Sequence, residues 1–252
     1  MAGRAVTLIT GASAGLGVEF ARQCHSKGQA LVLVARRGDR LHSLAAALGG
    51  AEVVAADLAS PGAAERLMAE VAGRGLFVET LINNAGFGLS GRFAGLAPER
   101  QSEMIDLNVR ALTELCRLAV PGMVERRRGF ILNVASTAAF QAGPNMAVYY
   151  ASKAYVLSLT EALHQELKGT GVHVTALCPG PVATEFFDVA GSPDSKLAKR
   201  GVDPADVAQA GLAGLARNRA IVIPGMMNKA TAQANRLLPR AAMRRIVAAM
   251  KS

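Results

Sequence analysis

The chain has 252 residues, 51% of them apolar and 19% charged: enough for a sizeable core and too little charge for a disordered polymer. Its net charge of +9 raises nucleic acid as a partner, but the basic residues are dispersed apart from Arg126-Arg127-Arg128 and the C-terminal stretch, without zinc-finger spacing or aromatic–basic interleaving, so no nucleic acid is expected. Cys24, Cys116 and Cys178 are odd in number and far apart, no leader pattern opens the chain, and no run approaches the roughly 18 apolar residues of a membrane span, so the expectation is a cytoplasmic protein with buried, reduced thiols.

Residues 5–9 form a short apolar run suited to a buried parallel strand, which stops at Thr10-Gly11. Gly11-Ala12-Ser13-Ala14-Gly15-Leu16-Gly17 follows and leads into a helix-compatible segment at 18–27. Glycines so placed permit a tight turn, close approach of backbone to a pyrophosphate, and close packing of helix on strand; the helix N-terminus adds N–H donors and a positive dipole end. The same letters match the G-x-S-x-G nucleophile elbow of hydrolases, with Ser13 as nucleophile and His25, His42, His164 or His173 as base. That elbow normally follows several strands, whereas this one follows the first, so phosphate binding is preferred.

Residues 30–35 make the next buried strand and end in Arg36-Arg37, with Asp39 placed to cap a helix over 40–48. An NAD site puts an acid at this strand end to hold the ribose 2′-hydroxyl. Two arginines at a helix N-terminus sit against the dipole unless an anion meets them, and the 2′-phosphate of NADP is such an anion. The alternative leaves them solvated or paired with Asp39. A third strand at 52–56 ends in Asp57-Leu58; Ser60 and Pro61 predict the cap and first residue of a helix reaching about 72. A fourth at 80–83 closes on Asn83-Asn84-Ala85-Gly86. Strand–helix alternation with short connections and no linker predicts one α/β domain built on a doubly wound parallel sheet.

Pro98 opens a long helix running through Asn108 to about 124, and a fifth strand at 130–135 places Ser136 at its carboxyl end, where open α/β sheets bind ligands. After a loop at 139–145, a helix over 147–168 carries Tyr149-Tyr150-Ala151-Ser152-Lys153. Residues four apart share a helical face, so Lys153 can pull the Tyr149 pKa below about 10 and fit the phenol to exchange a proton with a carbonyl or alcohol. Geometry alone does not exclude Tyr150. The sixth strand, 172–177, carries His173 as a sheet residue and runs into Cys178-Pro179-Gly180-Pro181-Val182-Ala183-Thr184. Phe186, Phe187 and residues 188–200 read as a mobile lid, and Phe87, Met146, Val148, Phe186 and Phe187 as an apolar wall suited to a hydrophobic carbonyl compound. Asp203-Pro204 starts a helix to about 217, and 220–223 is a last strand. The segment 228–252 mixes Leu237, Leu238, Met243, Ile246 and Val247 with Arg236, Arg240, Arg244, Arg245 and Lys251. Such a basic amphipathic helix covers an apolar surface of the body or a partner subunit, the preferred reading, or makes peripheral contact with an anionic membrane. No His/Asp/Glu cluster has metal spacing, so no metal is expected.

Taken in order, Thr10-Gly11-x-x-x-Gly15-x-Gly17, Asp57-Leu58, Asn83-Asn84-Ala85-Gly86, Asn108, Ser136, Tyr149, Lys153 and Pro179-Gly180 resemble the short-chain dehydrogenase/reductase family, in its compact subgroup. The resemblance implies a Rossmann-like sheet of about seven strands with helices on both faces. It also implies an NADP(H)-dependent oxidoreductase interconverting a small-molecule carbonyl and alcohol, and a homodimer or homotetramer. Because Ser136 and Tyr149 have the separation usual in that family, the resemblance implies Tyr149 as the general acid and leaves Tyr150 and Tyr155 as packing residues. Ser136 would orient the carbonyl oxygen; Lys153 would lower the Tyr149 pKa and hold the nicotinamide ribose; Asn108 would hold a relay water, although composition alone reads it as an ordinary exposed Asn. Asn83 reads as a brace between strands. The implied cofactor residues are Gly11, Ser13, Ala14, Gly15, Leu16, Gly17, Arg36, Arg37, Asp57, Leu58, Asn84, Ala85, Gly86, Tyr149, Lys153, Pro179, Gly180, Val182 and Thr184, with NADP(H) favoured over NAD(H). The rivals are an NAD-preferring enzyme of the same family and a non-catalytic nucleotide-binding sensor or scaffold.

Overall fold

The computed structural model describes residues 3–192, 201–237 and 239–251. Seven strands, β1 (Arg4–Thr10), β2 (Leu31–Ala35), β3 (Glu52–Ala55), β4 (Leu76–Asn83), β5 (Gly129–Val134), β6 (Val172–Leu177) and β7 (Ile221–Val222), form one sheet. Every pairing is parallel, in the order β3-β2-β1-β4-β5-β6-β7. The chain thus grows outward from β1 through β2 and β3, then returns to the other side of β1. That reversal opens a crevice beyond the carboxyl ends of β1 and β4. Register aligns Ile9 with Ile82, Asn83 with Asn133, and Val134 with Leu177, so the strand ends bearing the sequence motifs finish side by side.

Successive strand residues point to opposite faces, which explains the near-continuous apolar runs. Leu8, Leu81, Ile131 and Val174 pack on one face beneath α3 (Ala63–Gly73), α5 (Leu112–Glu125) and α6 (Ala147–Glu166). Their neighbours Ile9, Ile82 and Leu132 pack on the other beneath α1 (Leu16–His25), α2 (Gly38–Ala47) and α8 (Pro204–Ala216). The three cysteines are free and buried. Asp203 caps α8 by accepting from Ala205 N at 2.8 Å, as its sequence predicts.

Two predicted caps differ. Arg37, not Asp39, occupies the cap position of α2, and Asp39 lies in its first turn. Ser60 and Pro61 belong to a turn before α3, whose cap is Gly62 at φ 70°. The Asp57 side chain accepts from Ala59 N at 3.1 Å and its carbonyl from Ser60 N at 3.2 Å, so a local turn outcompetes the first helical turn there. The long helix from Pro98 is α4 (Pro98–Ile105), then a widened π turn over Asp106–Ala111, then α5. The tail is two helices, α9 (Met226–Leu237) and α10 (Arg240–Lys251), separated at Pro239, which cannot continue a helix. The short helix α7 (Phe186–Val189) begins the expected lid, whose residues 193–200 lie outside the described residues. No helix among the described residues is long and apolar enough to cross a membrane.

A buried polar ladder ties the sheet to α6. Asn83 Nδ2 donates to Asn133 Oδ1 at 2.9 Å, and Asn133 Nδ2 donates to Thr160 Oγ1 at 3.0 Å. Asn83 therefore braces strands. His173 is likewise a sheet residue, its ring edge-on to Phe130 at 5.2 Å and its Nδ1 3.1 Å from the Leu215 carbonyl. Tyr155 departs from expectation: it is 40% exposed and bonded to Thr113 at 3.0 Å rather than packed in the core. Asn133→Ala removes one hydrogen bond from each of two buried polar partners, so it is expected to lower unfolding free energy by about 1–3 kcal/mol; urea denaturation with an unchanged m-value is the measurement.

Candidate active site

The crevice at the strand-order reversal begins with the glycine loop. Gly11 (φ 66°) and Gly15 (φ 52°) adopt left-handed conformations, and a Cβ on Gly17 would meet the Gly11 carbonyl at 2.1 Å. Thr10 Oγ1 accepts from both Asn84 N and Ala85 N at 3.0 Å, while Asn84 Nδ2 donates to Thr10 O at 3.0 Å and Gly11 O at 3.2 Å. The Gly11–Gly17 and Asn84–Gly86 turns are therefore one hydrogen-bonded unit. The α1 N-terminus opens directly behind it.

Asn108 sits in the π turn and is 1% exposed, not an ordinary surface Asn. Its Oδ1 accepts from Phe87 N at 3.1 Å; its Nδ2 donates to Phe87 O at 2.9 Å and Ser152 Oγ at 3.1 Å. The side chain is thus committed to bracing the loop after β4 against α6. Mid-helix π turns recur at functional sites.

Ser136 caps a 3₁₀ turn, Thr137–Phe140, accepting from Ala138 N at 3.1 Å, and its own donation to the Pro179 carbonyl is long at 3.5 Å. Tyr149 and Lys153 share a face of α6, and both are buried. Lys153 Nζ donates to the Val134 carbonyl at 2.8 Å and lies 5.9 Å from the Tyr149 ring centre. Burial pulls the Lys153 pKa down to about 8. Burial pushes Tyr149 up to about 12, opposed in part by the nearby Ser136 side chain. The expected lowering of the Tyr149 pKa by Lys153 is therefore absent in this state, because desolvation favours the neutral form of both groups. Tyr150 packs against Gly143 and the same apolar cluster, with its own pKa raised by burial to about 12.

The two arginines are not held by Asp39. Arg36 pairs with Glu103 at 3.0 Å, and Arg37 pairs with Glu185 at 3.0 Å while donating to Ser13 Oγ at 3.3 Å. Ser13 is thus engaged by a cation, and none of the four histidines lines the crevice, so a nucleophile elbow has no base here.

The crevice encloses about 830 Å³. All the sequence-predicted cofactor residues line it except Gly17, which supports the loop from below. Ser136, Tyr149 and Lys153 converge on it as well. Its far end is apolar: Phe87, Met146, Phe186 and Phe187 line it as predicted, whereas Val148 packs behind. Sequence reasoning missed Val202 and the contributions of α9 and α10, Met226, Met227 and Val247. The amphipathic pattern of the tail was the available signal, but it did not say which surface the tail covers. Among the described residues no His/Cys/Asp/Glu group could hold a metal ion. Glycines without room for a Cβ, a helix N-terminus, and arginines already gripping a carboxylate fit a phosphate-bearing dinucleotide.

Comparison with known proteins agrees with this geometry. The family described as short chain dehydrogenase matches residues 5–194. The NADP-dependent 3-hydroxy acid dehydrogenase YdfG of Salmonella typhi is 36% identical over 221 residues, 81% of this chain and 86% of that protein. A short-chain dehydrogenase from Sphingobium yanoikuyae, solved in complex with NADPH, superimposes with a TM-score of 0.83 at 34% identity, covering 95% of this chain and 94% of that one. A Burkholderia phymatum short chain dehydrogenase/reductase in complex with NAD gives 0.81 at 28% identity, with 92% of each chain covered.

Lys153 provides a direct check of the site's electrostatics. A lysine signal titrating near pH 8 in the unliganded protein, and missing from Lys153→Met, is expected by NMR with labelled lysine. The sign for stability follows: between the folded value near 8 and the unfolded 10.5, the unfolded chain binds more protons, so wild type should gain stability over Lys153→Met as pH rises through that window.

Proposed function

The chain belongs to the short-chain dehydrogenase family and is an oxidoreductase, and from that premise we propose that it interconverts a carbonyl and an alcohol with NADP(H), using Tyr149 as general acid and base. The observation that carries this reading is the convergence of Ser136, Tyr149 and Lys153 on a crevice lined by the glycine loop and by Arg36 and Arg37.

The dinucleotide, when bound, supplies or accepts the hydride. The glycine loop and the start of α1 would hold its pyrophosphate, Lys153 and the Asn84–Gly86 turn its nicotinamide half, and Arg36 and Arg37 its 2′-phosphate. Ser136 can redirect its long, weak bond to Pro179 toward a substrate oxygen. Tyr149, held neutral by its raised pKa, is in the donor state that carbonyl reduction requires. An alkoxide forming on the substrate is far more basic than any phenolate, so the raised value does not oppose that transfer. Alcohol oxidation needs the opposite, a deprotonated Tyr149, and Lys153 is positioned to favour it when the ammonium is charged. The substrate end is lined by Phe87, Met146, Tyr150, Phe186 and Val247, which favours a hydrophobic carbonyl compound.

Tyr149→Phe keeps the ring packing against Phe186 at 5.3 Å and removes only the hydroxyl group. Turnover is expected to fall by about 10²–10⁴-fold with nucleotide affinity retained; an unaffected rate would sink the mechanism and favour a non-catalytic nucleotide sensor. Alcohol oxidation in wild type should rise with pH toward the tyrosine's range, whereas carbonyl reduction should not.

The cofactor preference has a separate test. Arg36→Ala should raise KM for NADPH by about tenfold, near the cost of one charge-assisted phosphate contact, and leave NADH nearly unchanged. Equal effects on both nucleotides would favour the NAD-preferring alternative.

A further inference from the structure

Arg37, Arg40 and Glu185 form a charged cluster at the crevice, of which the reading above uses only Arg37. Glu185 accepts from Arg37 Nη1 at 3.0 Å through one oxygen and from Arg40 Nη1 at 2.7 Å through the other. Arg40 has no part in the sequence-level reading of the cofactor site; it is one turn into α2 and turns toward the same anion as Arg37. The carboxylate comes from the opposite lip of the crevice, on the segment joining β6 to α7. That segment lies directly on the glycine loop: a Cβ on Gly15 would come within 2.9 Å of the Thr184 methyl. Arg37 completes the bridge by donating to Ser13 within the same loop. An internal anion therefore sits between two guanidinium groups, at a loop and helix N-terminus built to receive phosphate. Those guanidinium groups hold the Glu185 carboxyl below the usual carboxylate range, so it stays charged near neutrality.

We propose that the Glu185 carboxylate stands in for a dinucleotide phosphate, so that Arg37 and Arg40 exchange it for the phosphate on binding and release the segment leading into α7. This rests on the dinucleotide reading above and adds a third arginine and an internal competitor to it. The exchange is physically cheap in one direction. The Arg37, Arg40 and Glu185 side chains are 42%, 46% and 46% exposed, so each pair is weak and readily broken. A phosphate offers more charge and more acceptor oxygens to the same donors. While the bridge is closed those donors are occupied, and apparent nucleotide affinity falls by the fraction of time it stays closed. Because α7 carries Phe186, 5.3 Å from Tyr149, the bridge also links phosphate occupancy to the wall of the substrate end.

The sign of one substitution tests this. Glu185→Gln keeps the shape and removes the charge, and isothermal titration is expected to show NADPH binding about threefold to tenfold tighter than wild type. Arg40→Gln added to that variant should return the gain or more. Amide exchange over 186–192 in the free protein should be faster in Glu185→Gln than in wild type. A gain confined to NADPH assigns the displaced phosphate as the 2′-phosphate, and a gain shared by NADH assigns the pyrophosphate; both support the exchange. Unchanged or weaker binding by Glu185→Gln would overturn it while leaving the dinucleotide site intact. Wild type that binds neither nucleotide would instead remove the underlying reading.

Discussion

The site depends on what the Thr10 hydroxyl does at the end of β1. It accepts two backbone N–H groups, from Asn84 and Ala85, at the point where the order of strands reverses. Asn84 N otherwise reaches only the Ile82 carbonyl two residues back, at 3.1 Å, and a donor left unpaired in a part-buried turn costs about 1–3 kcal/mol. The bond fixes the first strand–helix turn against the turn after β4, close enough that a side chain on Gly11 would strike the Ala85 backbone at 2.9 Å. From there the order propagates. Gly86 lies against Asn108, Asn108 binds Phe87 and Ser152, and Ser152 Oγ donates to the Tyr149 carbonyl at 2.7 Å. Tyr149 is thus located by a run of hydrogen bonds and close contacts that begins at the glycine loop.

Electrostatics differ between the two ends of the crevice. At the rim, arginines and carboxylates meet in water, where ion pairs are weak and exchangeable. In the interior, Tyr149 and Lys153 share a desolvated face, and burial dominates both titrations. Lys153 answers this by spending a donor on the Val134 carbonyl, the last residue of β5. That bond orients the ammonium, while the low dielectric makes its charge costly. The rim can therefore trade anions quickly, and the interior keeps its geometry through the trade.

Much of this was legible in the sequence because it concerns backbone. Gly11, Gly15 and Gly17 were readable as a phosphate loop since only glycine tolerates those conformations and approaches. The strands were readable because both faces of a parallel sheet are buried. Asn108 was misread on composition because a polar residue in a helix is ordinarily exposed; nothing local announces the π turn that carries it into the interior. The pKa of Tyr149 was misjudged for a related reason. Spacing reveals that Lys153 shares its face but not that both are buried, and burial decides the sign. The partners of Arg36 and Arg37 come from Glu103 and Glu185, 67 and 148 residues away, beyond the reach of any local pattern.

The C-terminal segment shows how an ambiguous pattern is resolved by a vacancy elsewhere in the fold. An amphipathic helix must put its apolar stripe against something, and sequence alone offers a body surface, a partner or a membrane. The loop after β4 and the start of α6 expose Phe87, Met146, Tyr149 and Tyr150 on the side of the crevice that the sheet and its flanking helices leave open. Met243 and Val247 of α10 bury themselves against that cluster, to 8% and 4% exposure, while Arg244, Arg245 and Ile246 face outward. Met243 and Val247 therefore pack in the same cluster as Tyr149 and add to the burial that raises its pKa. Because α9 and α10 line the crevice through Met226, Met227 and Val247, substitutions there can reshape what the crevice admits without disturbing the Thr10–Asn84 unit.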